Sequence, residues 1–179
     1  MKKILSALLL TFGFAYQAQA GVLIEPYLGY NGGTIKASLP APFPEVSEGM
    51  TGVVYGARLG YKMAVFYVAA DYSMGSLKAE ISNSDTDFKV SRFGAVAGFT
   101  GLPMVDFYAG YLFNSSMEVD ETGGAKFAGS GFKLGVAFTT LPLISINLEY
   151  IMNSFDDETP YTDVKESAAV LSVSVPFDL

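Results

Sequence analysis

The stretch YGARLGYK, Tyr55 to Lys62, decides the fold. Read with a period of two, it carries Tyr55, Ala57, Leu59 and Tyr61 on one face and Gly56, Arg58, Gly60 and Lys62 on the other. Side chains alternate across a β-strand, so a strand here shows bulky apolar groups to one side and a mixture of glycine and positive charge to the other. A soluble sheet would bury the first face and wet the second. Soluble surfaces, however, are dense in Lys, Glu and Thr, and glycine weakens a strand interior without giving packing in return. The opposite orientation accounts for both faces: the rings look into lipid, and the glycines make room in a narrow interior for a few long charged side chains.

The same alternation recurs in eight segments, near 22–32, 52–62, 65–75, 89–100, 104–114, 129–139, 143–153 and 167–179. Each is close to the ~9–11 residues that a tilted strand needs to cross a bilayer. The connections alternate in length. Those after the second, fourth and sixth segments are tight (Lys62-Met63-Ala64, Gly101-Leu102-Pro103, Thr140-Leu141-Pro142), and the others are long and polar. Such alternation puts all turns at one end and all loops at the other, as in a meander closed on itself. An internal repeat supports the register, since FTGLPMVDFYAGYLFN (Phe99 to Asn114) aligns without a gap on FTTLPLISINLEYIMN (Phe138 to Asn153). The expected fold is all-β, an eight-stranded antiparallel up-and-down transmembrane β-barrel.

Sorting faces over all segments gives one that collects Ile24, Leu28, Tyr30, Tyr55, Leu59, Tyr61, Val68, Tyr72, Phe93, Phe99, Phe107, Tyr111, Phe132, Leu134, Val136, Ile146, Leu148 and Tyr150, and another rich in glycine. Scattered on the glycine face are Glu25, Arg58, Asp71, Arg92, Lys133 and Glu149, three acids and three bases. Eight strands enclose a space just wide enough for side chains to fill; the rings would overfill it, so they point outward. Tyr and Phe near both strand ends fit the aromatic girdles at a membrane interface; Trp, absent here, is replaced by Tyr in that role. The core of an ordinary β-sandwich is the other home such rings could have. The six interior charges form the candidate site, read either as a polar plug or as a gated ion pathway. Lys133 and Glu149 are expected to face each other directly across the sixth and seventh strands if the turn at Leu141 is tight.

Residues 1–20 are read separately. Lys2 and Lys3 precede an apolar run from Ile4 to Ala15, and Ala18-Gln19-Ala20 supplies a small-x-small site, the pattern of a secretory signal peptide. The apolar run is shorter than the ~20 residues of a spanning helix, so the barrel domain is taken as 21–179. There is no Cys to form a disulfide and no His to serve as base or metal ligand. The acidic excess, 18 Asp and Glu against 11 Lys and Arg, speaks against nucleic acid as a partner.

The openings IEPYLGYN (Ile24 to Asn31), YGARLGY (Tyr55 to Tyr61) and VAADYSMG (Val68 to Gly75) resemble the small eight-stranded outer-membrane β-barrels of Gram-negative bacteria, the group of outer membrane protein X and the membrane domain of outer membrane protein A. The resemblance implies the bacterial outer membrane as location, lipid and lipopolysaccharide as surroundings, and a last strand read by the barrel-insertion machinery. Leu171, Val173, Val175, Phe177 and Leu179 keep the alternation of that signal, with Leu179 in place of the family's terminal aromatic residue. Enzymes among such barrels depend on a His, so no catalytic residue and no cofactor are expected; a paired-carboxylate hydrolase through Asp156 and Glu158 would need a pocket of which the sequence gives no sign. The most acidic connection, FDDETPYTDVKE (Phe155 to Glu166), offers Asp156, Asp157 and Glu158 to a hard cation but lacks any calcium-loop spacing, so no metal site is assigned. The proline-rich SLPAPFPE (Ser38 to Glu45) is expected to be extended and stiff. Two functions remain: a scaffold presenting acidic extracellular loops to an unknown partner, or a narrow porin-like passage for small solutes or ions.

Overall fold

Eight antiparallel strands close on themselves in chain order. They are β1 (Gly21–Ser38), β2 (Val46–Met63), β3 (Phe66–Ile81), β4 (Ser84–Leu102), β5 (Val105–Val119), β6 (Lys126–Leu141), β7 (Ile144–Phe155) and β8 (Thr162–Ser174), with a short β9 (Phe177–Asp178) completing the last. The computed structural model describes residues 20–38, 46–81, 84–119, 126–141, 143–156 and 162–179, so the expected leader lies outside them apart from Ala20. Each strand pairs with the next, and β1 pairs with both β2 and β8, which closes the barrel and leaves no open edge. Among the described residues no helix is long and apolar enough to cross a membrane.

The break between β8 and β9 has a local cause. Both run in one register against β1, with Val173 opposite Leu28 and Phe177 opposite Ile24. Between them the Val175 N–H donates to the Pro26 carbonyl at 3.1 Å, and Pro26 has no N–H to return the bond. The alternation over Leu171, Val173 and Phe177 therefore survives, and all three are exposed on the outer wall.

The strands are longer than the sequence suggested, 12 to 19 residues, and the segment between Ser76 and Phe88, expected as a long loop, is mostly paired strand out to Ile81 opposite Ser84. The physical reason is an inversion of pattern. Within the membrane the apolar residues point out; beyond it Met50, Leu77, Ala79, Phe88, Met117, Phe127, Phe155 and Val164 point in and form one buried cluster, while polar neighbours such as Thr51, Lys78, Lys89 and Ser154 point out. There the hairpins go on pairing with the apolar-in, polar-out pattern of a soluble barrel.

Short turns close the other end. Ala64 takes a positive φ of 44° in the β2–β3 turn, and Met104 one of 67° after Pro103 in the β4–β5 turn. A bulge in β5 shifts the register between Leu112 and Ser115, so Phe113 and Asn114 both face outward. This limits the internal repeat: Tyr111 and Tyr150 are both on the outer wall, but Asn153 is buried where its counterpart Asn114 is exposed.

Candidate functional site

The barrel axis is filled in layers. At the turn end Leu23, Tyr67, Ala69, Val96, Tyr108 and Ala137 form an apolar floor interrupted by the polar Thr100, Asp106 and Ser145, and at the loop end the cluster around Met50, Leu77, Met117 and Phe155 forms an apolar cap. Between them lies the ionic layer, placed by β1, β2, β3, β4, β6 and β7. Each of Glu25, Arg58, Asp71, Arg92, Lys133 and Glu149 is buried on the inner face, among buried or half-buried glycines, with Gly56 and Gly60 on either side of Arg58, that leave them space.

Arg58 is the centre, 1% exposed. Its guanidinium donates to Glu25 at 3.0 Å, to the Tyr108 hydroxyl at 2.9 Å and to Glu149 at 2.5 Å, and lies 3.8 Å from an Asp71 oxygen. The planar fork suits several carboxylates at once, and the Tyr108 and Tyr27 rings stack against it at 4.4 and 5.1 Å. Lys133 donates to Asp71 at 2.6 Å and reaches Glu149 at 3.4 Å. Tyr27 donates to Asp71 and Tyr108 to Glu149, each at 2.8 Å. Glu25 accepts from Ser174 at 2.6 Å, which in turn accepts from Asn147 at 2.9 Å. Each of the carboxylates Glu25, Asp71 and Glu149 is thus held by a neutral hydrogen-bond donor as well as by a cation, the condition under which buried charge is tolerated.

Arg92 stands apart from this knot. It donates to Glu166 at 2.5 Å, and Glu166 also accepts from Asn153 at 2.6 Å. Glu166, Tyr27, Tyr108 and Asn153 were absent from the sequence-derived set. The signal for Glu166 is present, because it continues the inward row of Ala168 and Val170; the expected last strand, however, begins only at 167, and three acids already balance three bases without it. With Arg92 assigned to Glu166, the central knot holds Arg58 and Lys133 against Glu25, Asp71 and Glu149, an excess of one carboxylate.

One expected pairing is corrected. Lys133 lies opposite Ile151, and Glu149 opposite Gly135. The register shifts between Phe138 and Leu141, so the turn is not symmetric about Leu141 and the two charges meet on a diagonal. Gly135 makes room for a neighbouring ring, since a Cβ there would fall within that of Tyr108. Of the acidic run, Asp156 is exposed, while Asp157 and Glu158 lie outside the described residues, as do residues 39–45 of the proline-rich segment.

The wider hollows lie outside the barrel. One of about 820 Å3 is lined by Phe66, Phe99, Phe107, Leu134, Leu148 and Tyr150 around small residues. A cavity of about 40 Å3 beside Glu25, Arg58 and Asp106 opens toward the turn end.

A closed eight-stranded sheet with a greasy outer wall, aromatic residues near both rims and an ionic interior defines a bacterial outer-membrane β-barrel. The chain belongs to the family described as outer membrane protein beta-barrel domain, whose model matches residues 6–177, and its location is the outer membrane. Among solved structures it is similar to Neisserial surface protein A, with 22% identity, 89% of this chain and 99% of that one covered, and a TM-score of 0.57. It is also similar to Ail, the attachment invasion locus protein of Yersinia pestis, solved in complex with the heparin analogue sucrose octasulfate, at 16% identity, 88% and 99% coverage, and a TM-score of 0.61. At these identities the likeness is one of fold. No curated protein matches the chain.

Proposed function

We propose that the barrel is a closed structural mount for its extracellular loops, not a conduit and not an enzyme. The observation that supports this is the layered filling of its axis: an apolar floor, an ionic knot and an apolar cap in series. An ion would have to part Arg58 from Glu25, Glu149 and Tyr108 together and then cross a cap of Met50, Leu77 and Met117, each fully buried. Charge in such a space is costly to leave unpaired, several kcal/mol per ion by approximate reckoning. Rigid scaffolds that hold variable loops are a common basis for recognition, and the acidic connections are the parts free to meet a partner. In the same reading the outward row Leu171, Val173, Val175, Phe177 and Leu179 is what the insertion machinery takes hold of.

The experiment is single-channel recording of the purified protein in planar bilayers, with liposome swelling in parallel. The expected outcome is silence and no swelling. Discrete conductance steps that Lys133→Ala alters would establish the narrow passage instead.

A further inference from the structure

The turn end of the barrel carries polar atoms that the ionic knot does not use. The cavity of about 40 Å3 is lined there by Glu25, Arg58, Lys62, Thr100, Asp106 and Ser145 among apolar neighbours. Two of its oxygens are buried and have no hydrogen-bond partner among the described residues: Oγ1 of Thr100, a residue only 2% exposed, and Oδ1 of Asp106. A buried polar atom left so costs about 1–3 kcal/mol, and more when it is charged. The β4–β5 hairpin brings the two oxygens to one place. Thr100 follows Phe99, which pairs with Phe107, and precedes Leu102, which pairs with Val105, so it stands across the hairpin from Asp106.

The charge balance selects the ligand. Lys62 also lines the cavity, but Asp178 holds it at 2.8 Å. The Arg58 guanidinium is held by Glu25 and Glu149, with Asp71 beside its Nε. Among the described residues Asp106 forms no ion pair. Counted with the knot, it brings four carboxylates, Glu25, Asp71, Asp106 and Glu149, against two cations, Arg58 and Lys133. Unpaired charge in a space of low dielectric is costly, and a bound cation offsets it. Size and ligand number narrow the class. A water-sized particle needs roughly 10–15 Å3, so the cavity takes a small ion with little of its hydration shell. Calcium draws on about 6–8 oxygens and magnesium keeps several waters, whereas no group of three or more carboxylates able to hold such an ion occurs among the described residues.

We propose that this cavity binds a small monovalent cation, of the size of sodium, taken from the solution that bathes the turns. Asp106 Oδ1 and Thr100 Oγ1 ligate it, Glu25 and Ser145 supply further oxygen around it, and its charge offsets the carboxylate of Asp106. The site goes beyond the closed mount, and its readout, a sodium-dependent stability, is separate from the conductance that tests that reading.

The test is urea unfolding of the full barrel in uncharged lipid vesicles at about pH 8, where carboxyl groups are ionised. Sodium chloride is compared with choline chloride at equal ionic strength, because choline is too large for the cavity and controls for screening. A ligand that binds only the folded state lowers the unfolding equilibrium constant, here by about fivefold in sodium at a few hundred millimolar relative to choline. Asp106→Asn removes the charge and Thr100→Val the hydroxyl, each at nearly constant volume. Asp106→Asn is expected to be more stable than the parent in choline and to lose the sodium response; Thr100→Val is expected to keep at most half of it. Asp87→Asn, at the exposed loop end, is expected to keep all of it. Heat-dependent gel mobility reports folding of each variant, and two independent ligand substitutions guard against the loss of one. Equal stability of the parent in sodium and choline, an undiminished response in Asp106→Asn or in Thr100→Val, or a response lost equally in Asp87→Asn would each overturn the site.

Discussion

Replacing Arg58 by methionine tests the ionic knot most directly. Methionine keeps much of the length of the side chain and removes the charge, so the cavity left is small and the loss is electrostatic. Three carboxylates, Glu25, Asp71 and Glu149, would then share Lys133 alone, and the knot's excess negative charge would rise from one to two. Breaking a buried pair by removing one partner costs about 3–5 kcal/mol, and the loss of stacking on Tyr27 and Tyr108 adds to it. A destabilisation of ~4 kcal/mol corresponds, at a slope of about 2 kcal/mol per molar urea, to a midpoint lowered by ~2 M. The measurement is urea unfolding of the barrel in phospholipid vesicles, followed by tyrosine fluorescence and gel mobility. Adding Glu149→Gln to Arg58→Met removes one carboxylate and restores the original excess of one, so the double variant should regain at least about 1 kcal/mol over the single one, a non-additivity typical of groups in one network. If Arg58→Met unfolds within experimental error of the parent, or if Glu149→Gln makes it worse, the knot is not held together in the way described.

Two further outcomes probe the walls. Gly135→Ala should cost ~1–3 kcal/mol, as overpacking does, because its Cβ meets a Tyr108 ring already fixed by Arg58 and Glu149; Gly49→Ala, with nothing near the new methyl group, should be neutral or slightly stabilising, and both read out in the same urea titration. Leu59→Arg places a charge on a lipid-facing residue that is 59% exposed and should cost about 2–4 kcal/mol if the site is near the midplane, falling toward zero near an interface; stability unchanged in vesicles would mean that this face is not in lipid.

Two of these residues, Leu59 and Arg58, also mark how far the sequence could be read. Their opposite environments followed from a period of two and from the glycines beside Arg58, since only a crowded axis needs side chains that small. The inward rows of Glu25, Asp71, Arg92, Lys133 and Glu149 were legible for the same reason. Glu166 was not, because a strand start is weakly signalled where membrane and water patterns meet. The diagonal meeting of Lys133 and Glu149 was hidden too: register across a hairpin depends on the turn and its bulge, and neither is written in the alternation.

The sequence by itself determined the strand count, the location and which face meets lipid, because these depend on local alternation and composition that hold residue by residue along a chain. Only the closed structure decided who pairs with whom along the axis, that Arg92 leaves the central knot for Glu166, and that an apolar cluster of Met50, Leu77, Met117 and Phe155 lies above it. Those contacts join strands far apart in the chain. They come within reach only when closure and strand tilt bring their rows to one level, which no pattern within a single strand can specify.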